Sequence, residues 1–204
     1  MRAPVAEAVA VTPELLMQLR RPVDLSLSPD GKGLAYVVSP AFREKGKAFE
    51  TRLWIDDAPA TEAGAADALP RFAADGTLAY ASDRGHAGRM SVWIHGRGEL
   101  GDIAGSVEDI QWAPDSRTLL VLAADLGSDR AGAQTATKIK EAGAEEQDPK
   151  VFRPARHWRR LYLVDAESGA TREVQPEGVN VFEFGWAGGN VAAVCTDEPS
   201  ESAW

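Results

Sequence analysis

Cysteine is almost absent from this chain of 204 residues, since Cys195 is the only one. One thiol cannot close an internal disulfide, which excludes a small secreted scaffold held by bridges and makes a reducing, cytoplasmic compartment the default. No run of 18 apolar residues occurs, so we expect no transmembrane helix and no membrane role. The first eleven residues do not fit a secretory signal, because Arg2 is their only basic residue and Glu7 interrupts the apolar stretch.

Basic residues are also scarce, with 22 lysines and arginines against 31 acidic residues and a net charge of −9. Nucleic acids and anionic membranes are recognised through a positive field, so this balance opposes both as partners. Hydrophobic residues make up 44% and charged residues 26% of the chain. These fractions are typical of an ordinary globular protein and exclude a disordered or collagen-like one.

Helix signals are scarce too, and one segment near the amino terminus carries them. Thr12 is suited to an N-cap and Pro13 to the first helical position, while an apolar stripe follows and Pro22 is expected to stop the helix. We predict about two turns. From Val23 onward, short runs rich in Val, Leu, Trp and Tyr alternate with Gly, Asp and Pro, a pattern that indicates β-strands.

What the sequence does contain is an internal repeat. Four segments share the order of a strand, a tight turn built on Pro-Asp-Gly or a weaker version, and an apolar strand; they begin at Leu25, Arg71, Ile110 and Phe184. The turn residues Asp30, Asp75 and Asp115 lie 45 and then 40 residues apart, close to the period of roughly 40 to 50 residues of a four-stranded propeller blade. Further runs with a central aromatic between the turns supply the remaining strands; they are residues 52–56, 91–95 and 160–165.

The repeat predicts an all-β fold: a partial β-propeller of about three and a half four-stranded antiparallel blades, preceded by a short helix. We expect an amino-terminal arm at 1–22 and blades at 23–66, 67–106, 107–177 and 179–204, the last of them cut off, with a loop insertion at 125–150. Propellers close into rings of typically four to eight blades. The length therefore indicates the beginning of a longer protein, and open edges would allow self-association.

The hairpin Ser28-Pro29-Asp30-Gly31 resembles the repeat in propellers of the prolyl oligopeptidase family of serine peptidases, and a related repeat in the propeller of the bacterial Tol system. The opening from Thr12 to Val38 and the segment Ala81-Ser-Asp-Arg-Gly85 look like those of acylaminoacyl-peptidase-like and dipeptidyl-peptidase-like members. The resemblance covers most of residues 12–195. Ala73-Ala74 and Gly188-Gly189 depart from it, since they replace Ser-Pro and Pro-Asp in two hairpins.

The resemblance implies a function in proteolysis. In that family an α/β-hydrolase domain with a Ser-Asp-His triad follows the propeller, which restricts access of short peptides to the active site. We therefore expect a non-catalytic, gating propeller whose partners are the missing hydrolase domain and, through the full-length enzyme, short peptide substrates. The alternative is a non-enzymatic Tol-type propeller that serves as a protein-interaction platform.

Motifs for catalysis and cofactors do not change this interpretation. The Gly-x-Ser-x-Gly of a nucleophile elbow does not occur, and we assign no catalytic residue. Gly96-Arg-Gly-Glu-Leu-Gly101 resembles a dinucleotide-binding fingerprint, but no helix can follow it, so we interpret it as a turn and expect no cofactor. Glu145-Glu146 resembles the paired glutamates with which dipeptidyl-peptidase members of that family hold a peptide amino terminus. We favour a solvated loop for this pair, because charged runs in loops usually keep the surface hydrated. No spacing indicates a metal site.

A basic patch interrupts the acidic chain at residues 152–160, which hold four arginines, one histidine and two aromatics. Arginine forks bind carboxylates and stack on aromatic rings. We favour local charge neutralisation for this segment. As the functional alternative, Arg153 and Arg156 are the candidate residues for contact with a peptide substrate.

Overall fold

The computed structural model describes residues 11–42, 49–126 and 157–199. Within these ranges the chain forms fourteen strands and one short helix. The strands make three four-stranded antiparallel sheets and one two-stranded sheet, and neighbours in each sheet follow chain order. The structure is therefore all-β and repeated, as the sequence predicted.

The four sheets succeed one another along the chain. Sheet 1 contains β1 (Arg20–Leu27), β2 (Leu34–Pro40), β3 (Arg52–Ile55) and β4 (Ala58–Pro59). Sheet 2 contains β5 (Asp67–Phe72), β6 (Leu78–Ser82), β7 (Ser91–Ile94) and β8 (Gly98–Glu99). Sheet 3 contains β9 (Ser106–Trp112), β10 (Thr118–Ala124), β11 (Arg159–Asp165) and β12 (Thr171–Glu173). Sheet 4 contains β13 (Asn180–Ala187) and β14 (Asn190–Thr196).

Aspartates shape the first three hairpins, as predicted. Each side chain accepts a hydrogen bond from the main-chain N–H two residues further on, at 3.1 Å for Asp30, 2.9 Å for Asp75 and 2.8 Å for Asp115. The pKa of each carboxyl is lowered from 3.8, at Asp30 first by the Ser28 hydroxyl and at the other two first by that N–H. The ionised side chain is thus part of the turn.

The fourth hairpin uses a different solution. Gly188 and Gly189 connect the paired residues Ala187 and Asn190 and have φ values of 55° and 87°. A two-residue loop with positive φ at both positions matches the twist of antiparallel strands, and glycine adopts it at little cost. The departure from Pro-Asp therefore preserves the hairpin.

The amino-terminal helix, α1 (Pro13–Met17), is shorter than predicted and ends differently. Thr12 caps it, accepting the N–H of Leu15 at 3.2 Å. The prediction that Pro22 stops the helix is wrong, because the helix ends at Met17 and Pro22 lies inside β1. β1 pairs only with β2, and an edge strand tolerates a proline whose missing N–H points away from the ladder.

The core consists of three apolar layers between successive sheets. We call the face of a sheet that packs on the preceding sheet its leading face, and the opposite face its trailing face. Sheets 1 and 2 meet around Ala35, Leu53, Leu78 and Tyr80. Sheets 2 and 3 meet around Ala79, Val92, Ile110, Leu119 and Val121, and sheets 3 and 4 around Leu120, Leu122, Leu161 and Val181. Burying each of the valine, leucine and isoleucine side chains among them contributes about 1.5–3 kcal/mol, so face-to-face packing of sheets holds the fold together.

Candidate functional site

The first strands of the four sheets lie next to one another and form what we call the inner face (β1, β5, β9 and β13). β1 contacts β5 and β5 contacts β9. Side chains near the ends of these strands connect them: the Ser26 hydroxyl accepts the N–H of Phe72 at 3.1 Å, and the Trp112 indole donates to the carbonyl of Arg71 at 2.8 Å. Gln111 donates its amide to the carbonyl of Phe184 at 2.9 Å.

Every inner strand contains a break in its pairing register. The breaks fall between residues 23 and 26 in β1, 68 and 71 in β5, 107 and 109 in β9, and 181 and 183 in β13. Asp24 and Leu69 have φ values of 50° and 54° there. A β-bulge of this kind bends the strand and redirects the inserted side chain. The repeated bulges therefore determine which side chains face the middle of the row of sheets.

A cavity of about 490 Å³ opens on the inner face between β9 and β13. It is lined by Leu69, Glu108, Asp109, Leu122, Phe182, Glu183 and Phe184. Three carboxylates, two phenyl rings and two leucines thus converge on one concave surface. The volume is within the range of pockets that hold small ligands.

Two of the three carboxylates pair with arginines. Glu108 and Arg159 form a buried ion pair at 2.9 Å, with 3% and 2% of their side chains exposed. The Arg159 guanidinium also lies 5.7 Å from the ring centroid of Phe182. Asp109 lies 3.4 Å from Arg71 in a half-buried pair. Formally two cations face three anions, so the cavity favours a cationic group such as an ammonium or guanidinium.

The predicted substrate-contact residues, Arg153 and Arg156, lie outside the described residues, as does the Glu145-Glu146 pair. Of the basic patch, the structure describes two arginines. Arg159 pairs with Glu108, and Arg160 pairs with Asp125 and, at 3.8 Å, with Glu173. For these two arginines the favoured prediction of local charge neutralisation is confirmed.

Three polar residues that sequence reasoning missed connect neighbouring sheets. They begin the inner strands of sheets 2, 3 and 4: Asp67, Ser106 and Asn180. Each is buried, and its side chain accepts a main-chain N–H from the preceding sheet or from the residue directly before one of its strands. The donors are Leu53 in β3 at 3.2 Å, Met90 just before β7 at 3.1 Å and Arg159 in β11 at 2.6 Å. We call these contacts the inter-sheet staples. Because the three residues are of different types, only their shared position at the start of a repeat could have revealed them.

The family-like segment Ala81-Ser-Asp-Arg-Gly85 serves the first staple. The Ser82 hydroxyl donates to Asp67 at 2.7 Å, and Arg84 lies 3.4 Å from both of its carboxylate oxygens. Asp83 accepts the N–H groups of Ala66 at 2.7 Å and Gly88 at 3.0 Å. The Ala81–Gly85 motif therefore has a structural role, because its side chains hold Asp67 and the main chain around it in place.

Neither a metal-binding group of side chains nor a membrane-spanning helix is found in the described part of the chain. Across residues 11–42, 49–126 and 157–199, no group of three or more His, Cys, Asp or Glu side chains is placed to hold a metal ion. None of the helices in those ranges has the length and apolarity to cross a membrane. The Gly96–Gly101 segment contains the predicted turn after β7, and its residues Gly98 and Glu99 also form the short strand β8.

Successive antiparallel sheets that pack face to face, with their first strands together on one side, define a β-propeller. By sequence, neither a model of a known protein family nor a curated protein matches the chain. By structure, acylaminoacyl peptidase from Pyrococcus horikoshii matches 86% of this chain with 28% of its own, at a TM-score of 0.54 and 18% identity. AtxE2 isopeptidase matches 83% of this chain with 33% of its own length, at a TM-score of 0.51 and 24% sequence identity.

A third solved structure is itself a propeller domain. The β-propeller domain of the trilobed protease from Pyrococcus furiosus matches 86% of this chain with 57% of its own, at a TM-score of 0.51 and 15% identity. The comparisons confirm the predicted propeller fold and its similarity to propellers of such peptidases. The chain spans between about a quarter and three fifths of the length of these three structures.

Proposed function

We propose that this chain is the propeller portion of a serine peptidase of the prolyl oligopeptidase family, in which it gates the access of short peptides to a Ser-Asp-His active site. The active site would lie on an α/β-hydrolase domain of a longer polypeptide. In this proposal residues 1–22 form an arm, and 23–66, 67–106, 107–177 and 179–204 supply successive blades. The Ser hydroxyl of the hydrolase domain attacks the peptide carbonyl, and the peptide C–N bond breaks. The His transfers the hydroxyl proton to the departing amine, and water then hydrolyses the acyl-enzyme to the free acid.

The observation that carries this proposal is the structural match to acylaminoacyl peptidase over 86% of the chain. The chain corresponds to only 28% of that protein, which leaves room for a catalytic domain in a longer polypeptide. The hairpin motif and the Ala81–Gly85 segment support the same family.

The inner face is the part of the chain that we propose peptides contact. A cavity of about 490 Å³ can accommodate one or two side chains of an extended peptide but not a folded domain. Its exposed carboxylate, Glu183, and the phenyl ring of Phe184 favour a cationic end or side chain of a peptide. A cytoplasmic location is also part of the proposal, because a chain with one cysteine cannot form the internal disulfides that an oxidising compartment would allow.

Sequencing the gene on both sides of the 204 codons tests the proposal. We expect further Pro-Asp-Gly hairpins and then Gly-x-Ser-x-Gly in the same frame. The purified 204-residue chain is expected not to hydrolyse chromogenic peptides or esters. A coding sequence that continues into blades alone would favour the Tol-type interaction platform. Turnover by the purified chain that a serine-directed inhibitor blocks would contradict the non-catalytic role.

A further inference from the structure

The cavity between β9 and β13 has an apolar wall to which three sheets contribute. Its apolar lining residues are Leu69 of sheet 2, Leu122 of sheet 3, and Phe182 and Phe184 of sheet 4. The bulge in β5 holds Leu69 at a φ of 54°, a conformation that strains a leucine. The wall can cover the aliphatic stem of a side chain that enters the cavity.

Two carboxylates at the cavity keep oxygen atoms that the described part of the chain does not use. Both contacts of Asp109 involve its Oδ1, which accepts the N–H of Ile110 at 2.8 Å and lies 3.4 Å from the guanidinium of Arg71. Its Oδ2 accepts no hydrogen bond from any described residue. Glu183 is exposed, and its carboxylate forms neither a hydrogen bond nor an ion pair within residues 11–42, 49–126 and 157–199. Three carboxylate oxygens are therefore available to a ligand.

The chain itself shows how these two strands hold a guanidinium. Arg159 donates from Nε to Glu108 at 2.9 Å, and its Cζ lies 5.7 Å from the ring centroid of Phe182. Asp109 follows Glu108 directly in β9 and supplies a second carboxylate. Phe184 lies two residues after Phe182 in β13 and supplies a second phenyl ring. A carboxylate together with an aromatic ring suits a guanidinium, which binds the first through its fork and stacks on the second.

We propose that the cavity binds the arginine side chain of a peptide, which makes arginine-containing peptides the preferred substrate class. The inference rests on the proposed function and deepens it. The methylene stem lies on the apolar wall, and the guanidinium donates to the available oxygens of Asp109 and Glu183. A peptide amino terminus fits this cavity less well, because its ammonium is attached directly to the polar main chain and brings no stem to cover the wall.

Two blocked peptides test the proposal: acetyl-Ala-Arg-Ala-amide, and its citrulline counterpart, in which a neutral urea group of nearly the same size replaces the guanidinium. Each is titrated into the isotope-labelled 204-residue chain and followed by NMR. We expect the arginine peptide to bind about tenfold more tightly or better. The main-chain signals of Asp109 and Phe184 should shift more than those of the hairpin residues Gly31 and Gly76. Equal dissociation constants, or shifts that are largest at the hairpins, overturn the proposal.

A third peptide, Ala-Ala-Ala-amide with a free amino terminus, separates the two sources of positive charge. It carries an ammonium group but no basic side chain. We expect it to bind about tenfold more weakly than the blocked arginine peptide, at the level of the citrulline peptide. If it binds the cavity as tightly as the arginine peptide, the site recognises an amino terminus, and the assignment to a side chain is wrong.

A substitution at Glu183 tests the role of its carboxylate. Glu183→Gln should raise the dissociation constant of the arginine peptide roughly 5- to 10-fold and leave that of the citrulline peptide unchanged. Glu167→Gln is the matched control, because Glu167 is an exposed glutamate in the turn between β11 and β12, and it should bind both peptides like the wild type. Both sites are exposed, so circular dichroism should show folded variants.

If Glu183→Gln binds the arginine peptide as tightly as this control does, the proposed contact is wrong. These titrations measure binding by the chain itself, whereas the proposed function is tested by the gene sequence and by turnover. Failure of one is therefore distinguishable from failure of the other.

Discussion

Asp67 provides the sharpest test of how neighbouring sheets are held together. Its carboxylate is fully buried and accepts hydrogen bonds from the Leu53 N–H at 3.2 Å, the Ser82 hydroxyl at 2.7 Å and the Thr61 hydroxyl. Arg84 lies 3.4 Å away. Asp67→Ala removes every one of these acceptors while the donors remain buried or half-buried.

We expect Asp67→Ala to lower the free energy of unfolding by about 3–5 kcal/mol. A buried donor without a partner costs about 1–3 kcal/mol, and hydrogen bonds to a charged acceptor lie at the upper end of their range. Asp67→Asn keeps one oxygen acceptor and the shape of the side chain, so about half of that loss is expected.

Equilibrium unfolding in urea, followed by tryptophan fluorescence at one fixed protein concentration, measures both variants. Asp102→Ala is the matched control, because the Asp102 side chain is 98% exposed, and its effect should stay within about 0.5 kcal/mol. If Asp67→Ala were as stable as this control, the staple would not hold the sheets together and the reasoning would be refuted.

Three further substitutions test the core pair, a glycine and a turn by the same unfolding measurement. Arg159→Leu breaks the buried ion pair and should cost about 3–5 kcal/mol, whereas Arg160→Leu, at a site 28% exposed, should cost about 1 kcal/mol or less. Gly105→Ala, at φ +96°, brings a methyl group against the carbonyl oxygen that ends β10. The methyl group of Gly96→Ala, at φ +78°, meets nothing within 4 Å. Both variants should lose roughly 1–2 kcal/mol of stability to backbone strain, and only Gly105→Ala should lose clearly more than that. The lowered pKa of Asp115 means that its ionised carboxylate stabilises the fold above the usual pKa of 3.8. This stabilisation is lost as the pH falls through the folded-state pKa, so wild type and Asp115→Asn should become equally stable at acid pH. A difference in stability that stays constant from pH 6 to strong acid would contradict this.

The repeat and its turns were predictable because turn chemistry is local. Asp30 accepts the N–H two residues on in its own hairpin, and the spacing of such turns indicates the blade period. The third strands were predictable for a similar reason, since Trp54 and Trp93 stand between aliphatic residues in short runs. In both cases the information lies within a few consecutive residues.

The end of the first helix was not predictable from the same signals. Pro22 is a helix-breaking residue, yet it lies inside an edge strand, and only the pairing of β1 with β2 makes that position acceptable. The inner-face cavity was missed for a related reason. Glu108 and Phe182 are 74 residues apart in sequence, and they converge on Arg159 only because bulges turn both strands at equivalent positions.

The central proposal is that the chain is part of a larger serine peptidase, and labelling of the native protein tests this proposal most directly. An antibody raised against the 204-residue chain is used to isolate the native protein, which is then treated with a fluorophosphonate probe that reacts with activated serines. We predict a labelled polypeptide clearly larger than 21.8 kDa, with the purified chain unlabelled under the same conditions. A native polypeptide of the same mass as the purified chain, or a larger one that the probe does not label, would contradict the account.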